Sequence, residues 1–271
     1  MLTEITLGQY FPGNSWIHRL DPRTKILATI IYIIAIFFAD TPLSYGILTA
    51  FAALVILISR LPWLMVLKSL KPIWIIVILT MLIHMFTAPG EHIIWTWKFL
   101  SVTQEGLDLG LKMAVRLVLL LLFSSVLTFT TSPIVLTDGI EHLLRPFKAV
   151  GVPAHELAMM MTIALRFIPT LLEETDRIMK AQTARGADFA NCNMLQRVKN
   201  MLPLLVPLFI SAFRRADELA VAMEARCYRG GEGRTRMHEL AYAGRDYTAL
   251  VLVLALAVGL AVMRWGKLCG L

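Results

Sequence analysis

The charged residues of this chain are spaced so unevenly that five long stretches contain none. A helix needs about 20 consecutive apolar residues to cross roughly 30 Å of hydrocarbon, with about 17–25 tolerated. Four stretches reach this length, and the first, with 14 residues, needs its flanking Lys25 to extend toward the membrane surface. The pattern therefore predicts about five transmembrane helices. The stretches are 26–39, 41–59, 72–90, 117–137 and 247–263.

The composition excludes the ordinary soluble class. Of the 271 residues, 57% are hydrophobic, and the mean hydropathy is +0.68. Any one stretch could be a buried helix of a soluble core, but five together would expose too much apolar surface for a soluble protein. The first stretch begins too late for a secretory signal peptide. The three scattered cysteines indicate neither a disulfide framework nor a CxxC metal motif. We therefore expect an integral membrane protein.

Basic residues predict the orientation of the spans. They precede the first span, fill the link between the second and third, and number 15 between residues 138 and 246. Because positive charge marks the cytoplasmic side, we expect a multi-pass protein of the plasma membrane whose N-terminus and 138–246 segment are cytoplasmic. An odd number of spans leaves Arg264 and Lys267 outside, so an additional re-entrant segment stays open as an alternative.

The 138–246 segment carries 15 basic and 13 acidic residues, interspersed rather than clustered, which disfavours nucleic acid as a partner. Within it, 154–185 and 204–226 each begin apolar and end charged. A helix of about 30 residues reaches about 45 Å. We therefore expect two long helices along the inner membrane face, with an independent cytosolic helical domain as the alternative. The predicted domains are 1–137, 138–246 and 247–271.

The two long stretches end in nearly the same residues, 41 positions apart: Ala184-Arg185-Gly186 and Ala225-Arg226-Cys227. Capping is one interpretation, because the C-terminal dipole favours a cation and glycine ends helices in the left-handed conformation. The repetition favours another. Alanines keep each helix end slim, and a guanidinium there can pair with carboxylates in a groove of a partner. Two equivalent ends indicate two equivalent or homologous partners.

These endings and the N-terminal stretch ITLGQYFPGNSWIHRLDPRTK, residues 5–25, resemble the transmembrane T component (EcfT, CbiQ-like family) of energy-coupling factor transporters. The resemblance covers essentially the whole chain, and its more specific part runs from His18 to Lys25. It implies an all-α membrane protein with about five transmembrane helices plus a cytoplasmic domain of long coupling helices. Cys227 stands where the family usually has glycine, which puts the turn after Arg226 in doubt. Gly230 and Gly231 are alternative terminators.

The resemblance also implies partners. Two cytosolic ABC-type ATPases, as a homodimer or a heterodimer, would dock on the two endings. A separate membrane-embedded S component would capture a vitamin or another micronutrient. Closure of the ATPases on ATP would then pass along the coupling helices and reorient the S component. The implied docking residues are Ala184, Arg185, Gly186, Ala225, Arg226 and Cys227.

Three consecutive methionines, Met159, Met160 and Met161, are candidates for the S-component interface. Their side chains are flexible and polarizable, and such surfaces adapt to several partners. Packing within the chain's own core is the alternative interpretation.

We expect no catalytic, metal or cofactor site. The six histidines show no i, i+3 or i, i+4 pairing, and residues 8–15 resemble a phosphate-binding loop except that Asn14 replaces its lysine. The charged residues Asp108, Lys112 and Arg116 form one helical stripe, and we expect them to reach the membrane interface. The chain is therefore not expected to be an enzyme. A self-contained permease for a small solute or metal ion is the alternative function.

Overall fold

The computed structural model describes residues 10–87, 93–97, 100–187, 194–230 and 240–268. The described residues 10–139 and 240–268 form one compact unit, here called the bundle unit, and 140–230 form a second, here called the long-helix unit. The helices are α1 (Pro22–Phe37), α2 (Pro42–Ser59), α3 (Trp63–Leu70), α4 (Trp74–Thr87), α5 (Gln104–Thr130), α6 (Pro133–Leu144), α7 (Ala154–Ala184), α8 (Met194–Ala225) and α9 (Gly244–Leu268). Strands β1 (Ile93–Trp97) and β2 (Leu100–Thr103) lie between α4 and α5, and a 3₁₀ helix, Arg145–Val150, follows α6.

The all-α membrane fold expected from the sequence is confirmed. By length and composition, α2, α5, α7 and α9 among the described residues could each cross a membrane. For α7 this differs from the expectation of a helix along the inner membrane face, which stays a prediction. Helices α3 and α4 meet at a 55° bend and make a fifth candidate if the bent pair is one span. This bend has the form of a broken span or a re-entrant loop. Helix α1 contains most of the first uncharged stretch but has only 16 residues.

The uncharged stretch 117–137 does not give the bounds of one helix, whereas the charged residues expected on the same helix, Asp108, Lys112 and Arg116, do lie within α5. Helix α5 already begins at Gln104, where the Thr103 hydroxyl accepts a hydrogen bond from the Gly106 N–H at 3.1 Å. It ends at Thr130, and a new helix begins with Pro133. An uncharged window marks apolar composition, whereas caps and prolines set the helix ends.

A short antiparallel strand pair was not foreseen. Thr96 pairs with Ser101 and Trp97 with Leu100, and the register shifts between Ile93 and Trp95. The segment is rich in β-branched and aromatic residues, which favour strands. The hydropathy pattern places it directly after an apolar span, and this obscured the signal.

Stacked aromatic rings from three helices occupy the centre of the bundle unit. Tyr32 of α1 stacks on Phe123 of α5, with ring centroids 3.9 Å apart, and on Phe51 of α2 at 5.9 Å. Tyr32 is fully buried, and its hydroxyl donates to the Leu48 carbonyl at 3.0 Å. The ring therefore packs against two helices while its polar end is satisfied inside the bundle.

The starts of α1 and α9 meet through the buried carboxylate of Asp246. One oxygen accepts from the Asp21 N–H and the other from the Ala243 N–H, both at 2.8 Å. Asp21 in turn caps α1 by accepting from the Arg23 N–H at 2.9 Å. One carboxylate therefore satisfies backbone donors from two segments that lie far apart in sequence.

Lys25 joins the start of α1 to the end of α5. Its ammonium donates to the Thr130 carbonyl at 2.9 Å, to the Thr131 hydroxyl at 3.2 Å and to the His18 carbonyl at 3.2 Å. The expectation that Lys25 extends toward the membrane surface is wrong, because the residue is only 7% exposed. The last carbonyl of α5 offers a negative dipole end, and three acceptors satisfy all three ammonium protons.

His18 holds the segment that precedes α1. Its Nδ1 lies 2.7 Å from the Ser15 hydroxyl and its Nε2 lies 3.0 Å from the Phe11 carbonyl. Because a carbonyl only accepts, Nε2 carries the proton and Nδ1 accepts from Ser15. Burial lowers the pKa of His18, opposed by the hydrogen bond to Phe11 and helped by the nearby Lys25 charge. The lowered pKa favours the neutral ring, and this assignment of donor and acceptor is the one that a neutral ring makes.

At the opposite end of the bundle unit, Arg264 of α9 closes the end of α1. It pairs with Asp40 at 3.0 Å and donates to the Phe37 carbonyl at 3.3 Å. The start of α9 lies at the other end, beside the start of α1, so α9 runs parallel to α1. The odd number of predicted spans placed Arg264 on the outer side of the membrane. In the structure it lies at the same end of the bundle unit as Asp40.

Arg116 of α5 bonds at this same end. It donates to the Ala39 carbonyl at 3.4 Å and to the Tyr45 hydroxyl at 3.1 Å. The expectation that this side chain reaches the membrane interface stays a prediction. The guanidinium satisfies a carbonyl just beyond α1, so its charge has a structural use.

In the long-helix unit, α7 and α8 have 31 and 32 residues and pack on each other. At 1.5 Å per residue each is about 46–48 Å long. Arg215 of α8 donates to the Glu174 carboxylate of α7 at 3.3 Å. At the start of α7, His155 Nδ1 lies 3.1 Å from the Glu141 carboxylate of α6.

We expect Asp246→Ala to destabilise the bundle unit by about 2–4 kcal/mol, because two buried N–H groups lose their acceptor at about 1–3 kcal/mol each. The measurement is the unfolding midpoint and free energy of the purified protein in detergent. Asp40→Ala is the control, since its ion pair is 52% and 39% exposed and such pairs contribute less than about 1 kcal/mol. Equal losses in the two variants would contradict the role given to Asp246.

Candidate functional site

Helix α7 ends in a Schellman motif built on Gly186. This glycine has φ +93°, its N–H donates to the Thr183 carbonyl at 2.9 Å, and the Ala187 N–H donates to the Gln182 carbonyl at 3.0 Å. These two bonds satisfy carbonyls that the helix leaves without partners. Arg185 occupies the cap position directly before the turn.

Helix α8 ends in the same motif, with Cys227 in place of glycine. Cys227 has φ +57°, its N–H donates to the Glu224 carbonyl at 2.8 Å, and the Tyr228 N–H donates to the Met223 carbonyl at 3.0 Å. Arg226 holds the cap position. Every residue of this motif lies 41 positions after its counterpart in α7, so the sequence repeat is also a repeat of backbone geometry.

The doubt about the turn after Arg226 is resolved by Cys227 itself. Its φ lies in the left-handed well that L-residues can enter at a cost of about 1–2 kcal/mol. Gly230 also has a positive φ, +89°, but it follows the completed Schellman turn and does not end the helix. Gly231 lies outside the described residues.

The six residues of the two endings, 184–186 and 225–227, are all exposed. Within the described part of the chain, the side chains of Arg185 and Arg226 form no hydrogen bond and no ion pair. The backbone turn satisfies each helix end without them. Each ending therefore presents a free guanidinium on a slim, well-ordered helix terminus.

The two long helices touch at positions that the repeat makes equivalent. Glu174 and Arg215, which form the ion pair, are themselves 41 residues apart. Eleven residues separate Glu174 from Arg185 and Arg215 from Arg226. The two arginines thus follow the contact point at equal distances along their helices, about 16 Å at 1.5 Å per residue.

Comparison with known proteins places the chain. The family described as CbiQ, cobalt transport protein, matches residues 13–238. The chain belongs to this family. It is 69% identical to a protein of Acidaminococcus fermentans over 266 residues, which is 98% of this chain and 99% of that protein. Relatives from Clostridium kluyveri and Bacillus subtilis are 54% and 47% identical, covering 98% and 97% of this chain and all of each relative. All three are named energy-coupling factor transporter transmembrane protein EcfT.

Membership confirms the resemblance inferred from the N-terminal stretch and the paired endings. The chain is a transmembrane component of energy-coupling factor transporters, a membrane part of a transport system rather than a catalytic subunit. In the described residues no group of three His, Cys, Asp or Glu side chains is placed to hold a metal ion.

The three methionines of α7 lie on the described surface of the long-helix unit. Met160 and Met161 are 54% and 48% exposed, and Met159 is half-buried. Buried contacts on this part of α7 come from Ala154 and Ala158 instead. Packing inside the unit therefore uses the small residues and leaves two of the three methionine side chains open.

Sequence reasoning missed how the arginines are kept free. The residue after each arginine carries the signal for the turn, because a Schellman motif needs a left-handed residue at that position. Glycine at 186 is typical of such a residue. At 227 the cysteine concealed it, since few non-glycine residues adopt positive φ. The equal 41-residue spacing was the clue that Cys227 has the same conformation.

We expect Gly186→Ala to weaken the end of α7 by about 1 kcal/mol, since φ +93° lies outside the left-handed well of L-residues. No atom lies within 4 Å of the added Cβ, so the loss is purely one of backbone strain. Cys227→Gly should cost nothing and stabilise by up to about 1 kcal/mol. Amide hydrogen exchange at residues 185–187 and 226–228 measures both. Gly244→Ala is the control, because this glycine has open space around it and no positive φ. Equal losses in Gly186→Ala and Gly244→Ala would contradict the role given to the positive φ of Gly186.

Proposed function

We propose that this chain couples ATP hydrolysis by two separate ABC-type ATPases to uptake of a vitamin or another micronutrient through a separate S component. The observation that carries the proposal is the pair of matched helix endings with free guanidinium groups. The six docking residues are Ala184, Arg185, Gly186, Ala225, Arg226 and Cys227. The N-terminus and the segment 138–246 are cytoplasmic in this proposal, and the membrane is the plasma membrane.

The chemistry of the endings suits docking into acidic grooves. A guanidinium offers a planar fork of donors that matches a carboxylate with two parallel hydrogen bonds. At a helix C-terminus the cation is also favoured by the dipole. Since neither arginine has an acidic partner among the described residues, its charge is available to an incoming carboxylate without breaking an internal bond.

The two long helices suit the transmission of movement. Each is about 46–48 Å long by its residue count, and the ion pair between Glu174 and Arg215 ties one to the other. Two ATPases that approach each other would carry the two arginines with them. Because equal lengths separate each arginine from the contact, both ends would act on it with similar leverage.

The exposed methionines suit an S component. Met159, Met160 and Met161 lie in the apolar first half of α7, and an unbranched thioether side chain adapts to different partner shapes. A T component shared by several S components needs such a surface. The domain boundaries 1–137, 138–246 and 247–271 belong to the same proposal, with the middle domain holding both coupling helices.

Reversal of the arginine charges tests the docking. Arg185→Glu or Arg226→Glu should each lower the amount of ATPase that copurifies with the chain, at a cost of about 2 kcal/mol or more in affinity, roughly thirtyfold. The double variant should abolish ATP-driven uptake in liposomes. The measurements are ATPase copurified per tagged chain and substrate uptake.

Lys180→Glu is the matched control for this reversal. It changes the same charge on α7, but Lys180 is 77% exposed and pairs with Asp176 one turn away. We expect it to retain ATPases and uptake. Normal uptake in the double arginine variant would refute the docking. Uptake by the purified chain without ATPases would favour a self-contained permease.

Replacement of Met159, Met160 and Met161 together by isoleucine tests the S-component surface. Isoleucine is branched at Cβ and stiff, so affinity should fall unequally for different S components. The measurement is the affinity of the purified transporter core for each of several S components. Uniform changes, or none, would show that the methionines serve packing alone.

A further inference from the structure

An apolar pocket lies within the bundle unit, between the segment before α1 and the helices α1, α2, α5 and α9. Its volume is about 110 Å³. An apolar cavity of about 150 Å³ stays dry and admits benzene, so this pocket has room for several methylene groups. The lining residues used here are Ile17, Leu20, Ala28, Leu54, Ala249 and Leu252.

Two arginines without partners flank this apolar pocket. Arg19 is exposed and lies in the turn between the lining residues Ile17 and Leu20. Arg245 is also exposed, and it precedes Ala249 by four residues, so it continues the pocket-lining face of α9 by one turn. Within the described residues neither side chain forms a hydrogen bond or an ion pair. The rim therefore favours an anionic group.

A buried hydroxyl adds a donor to the wall of the pocket. Thr24 lines the pocket and is completely buried, and its hydroxyl has no hydrogen-bond partner in the described part of the chain. Leaving such a group unpaired costs about 1–3 kcal/mol. Lys25 also lines the pocket, but its three bonds to protein oxygens are already made. Among the described residues, the donors still open to a ligand at this pocket are the buried Thr24 hydroxyl and the two solvent-exposed rim arginines.

The rim also contains an aromatic residue of the type found at membrane surfaces. Trp16 lines the pocket and is 41% exposed, and tryptophan is enriched at the level of lipid headgroups. An apolar pocket in a membrane helix bundle, with tryptophan and cations at its rim, matches the order of groups along a phospholipid. The acyl chain meets apolar walls, the ester meets a hydroxyl donor, and the phosphate meets guanidinium groups.

We propose that the pocket binds one acyl chain of an anionic phospholipid, drawn from the leaflet at the N-terminal end of α1. The phosphate lies at Arg19 and Arg245, and the chain passes Ala28 toward Leu54 and Leu252. A bound lipid of this kind fills space between the segment before α1 and the four helices that surround the pocket. It therefore makes the packing of the bundle unit depend on the anionic lipid content of the membrane.

The experiment counts retained lipid by native mass spectrometry. The full-length protein, purified with its copurifying subunits, is titrated in mixed micelles with phosphatidylglycerol or with phosphatidylcholine of identical acyl chains. We expect one phosphatidylglycerol to be retained in preference to phosphatidylcholine. Arg19→Gln with Arg245→Gln should weaken phosphatidylglycerol binding roughly thirtyfold, because each cation near an anionic headgroup contributes about 1 kcal/mol. The double variant should also lose the preference for phosphatidylglycerol over phosphatidylcholine. Ala28→Leu, which fills the pocket, should abolish retention of either lipid.

Matched control variants distinguish lipid binding at the pocket from non-specific attraction of anionic lipid to basic residues. Lys68→Gln with Lys71→Gln removes two exposed charges elsewhere, and Ala53→Leu enlarges an exposed alanine of α2 outside the lining. Both should bind phosphatidylglycerol as the unaltered protein does. The proposal is overturned by equal retention of both lipids, or by wild-type retention in the arginine double variant, whose exposed positions leave folding intact. Retention that appears only after the copurifying subunits are stripped away would assign the pocket to a partner helix and also overturn it.

Discussion

The ends of α1 decide the arrangement of the bundle unit, because the terminal backbone groups of a helix need partners that the helix itself does not supply. At its start, the Asp246 carboxylate of α9 accepts from the backbone N–H of Asp21, while Lys25 donates to the last carbonyl of α5. At its end, Arg264 of α9 donates to the Phe37 carbonyl and Arg116 of α5 donates to the Ala39 carbonyl. Each of these bonds joins two elements of the bundle. Satisfying the backbone therefore also selects which helices are neighbours, and the stacked aromatic rings fill the space between them.

Helices α7 and α8 satisfy their last backbone carbonyls within the turn that follows each helix, which leaves their terminal arginines unused. Each Schellman turn satisfies the last carbonyls with N–H groups of the following residues, so no side chain is needed there. Arginine at the ends of α1 is committed to carbonyls and to Asp40, whereas Arg185 and Arg226 remain uncommitted among the described residues. A guanidinium that the backbone does not use has all its donors available to a partner. The difference between the two kinds of arginine thus lies in the turn that follows the helix, and residue type alone does not reveal it.

The same distinction explains how far the sequence could predict this protein. Spans follow from local composition, and the paired endings follow from a repeat, so the membrane fold and the candidate site were both visible. The charges at 108, 112 and 116 were expected on one helix with the apolar stretch that follows, but the exact start of α5 at Gln104 was not predicted. The burial of Lys25 depends on Thr130, 105 residues away, and no local pattern encodes such a partner. The left-handed cysteine at 227 could be inferred only from its counterpart at 186.

The segment from His18 to Lys25, the more specific part of the N-terminal resemblance, is used chiefly for folding. His18 ties down the chain before α1, Asp21 caps α1 and contacts Asp246, and Lys25 bonds the end of α5. Each of these roles needs one residue type, since a neutral imidazole, a carboxylate and an ammonium differ in what they donate and accept. Arg19 stands apart, because it is exposed and has no partner among the described residues. The residues of this signature that form bonds within the chain therefore serve its folding. Arg19, which forms none of those bonds among the described residues, is the one open to another molecule.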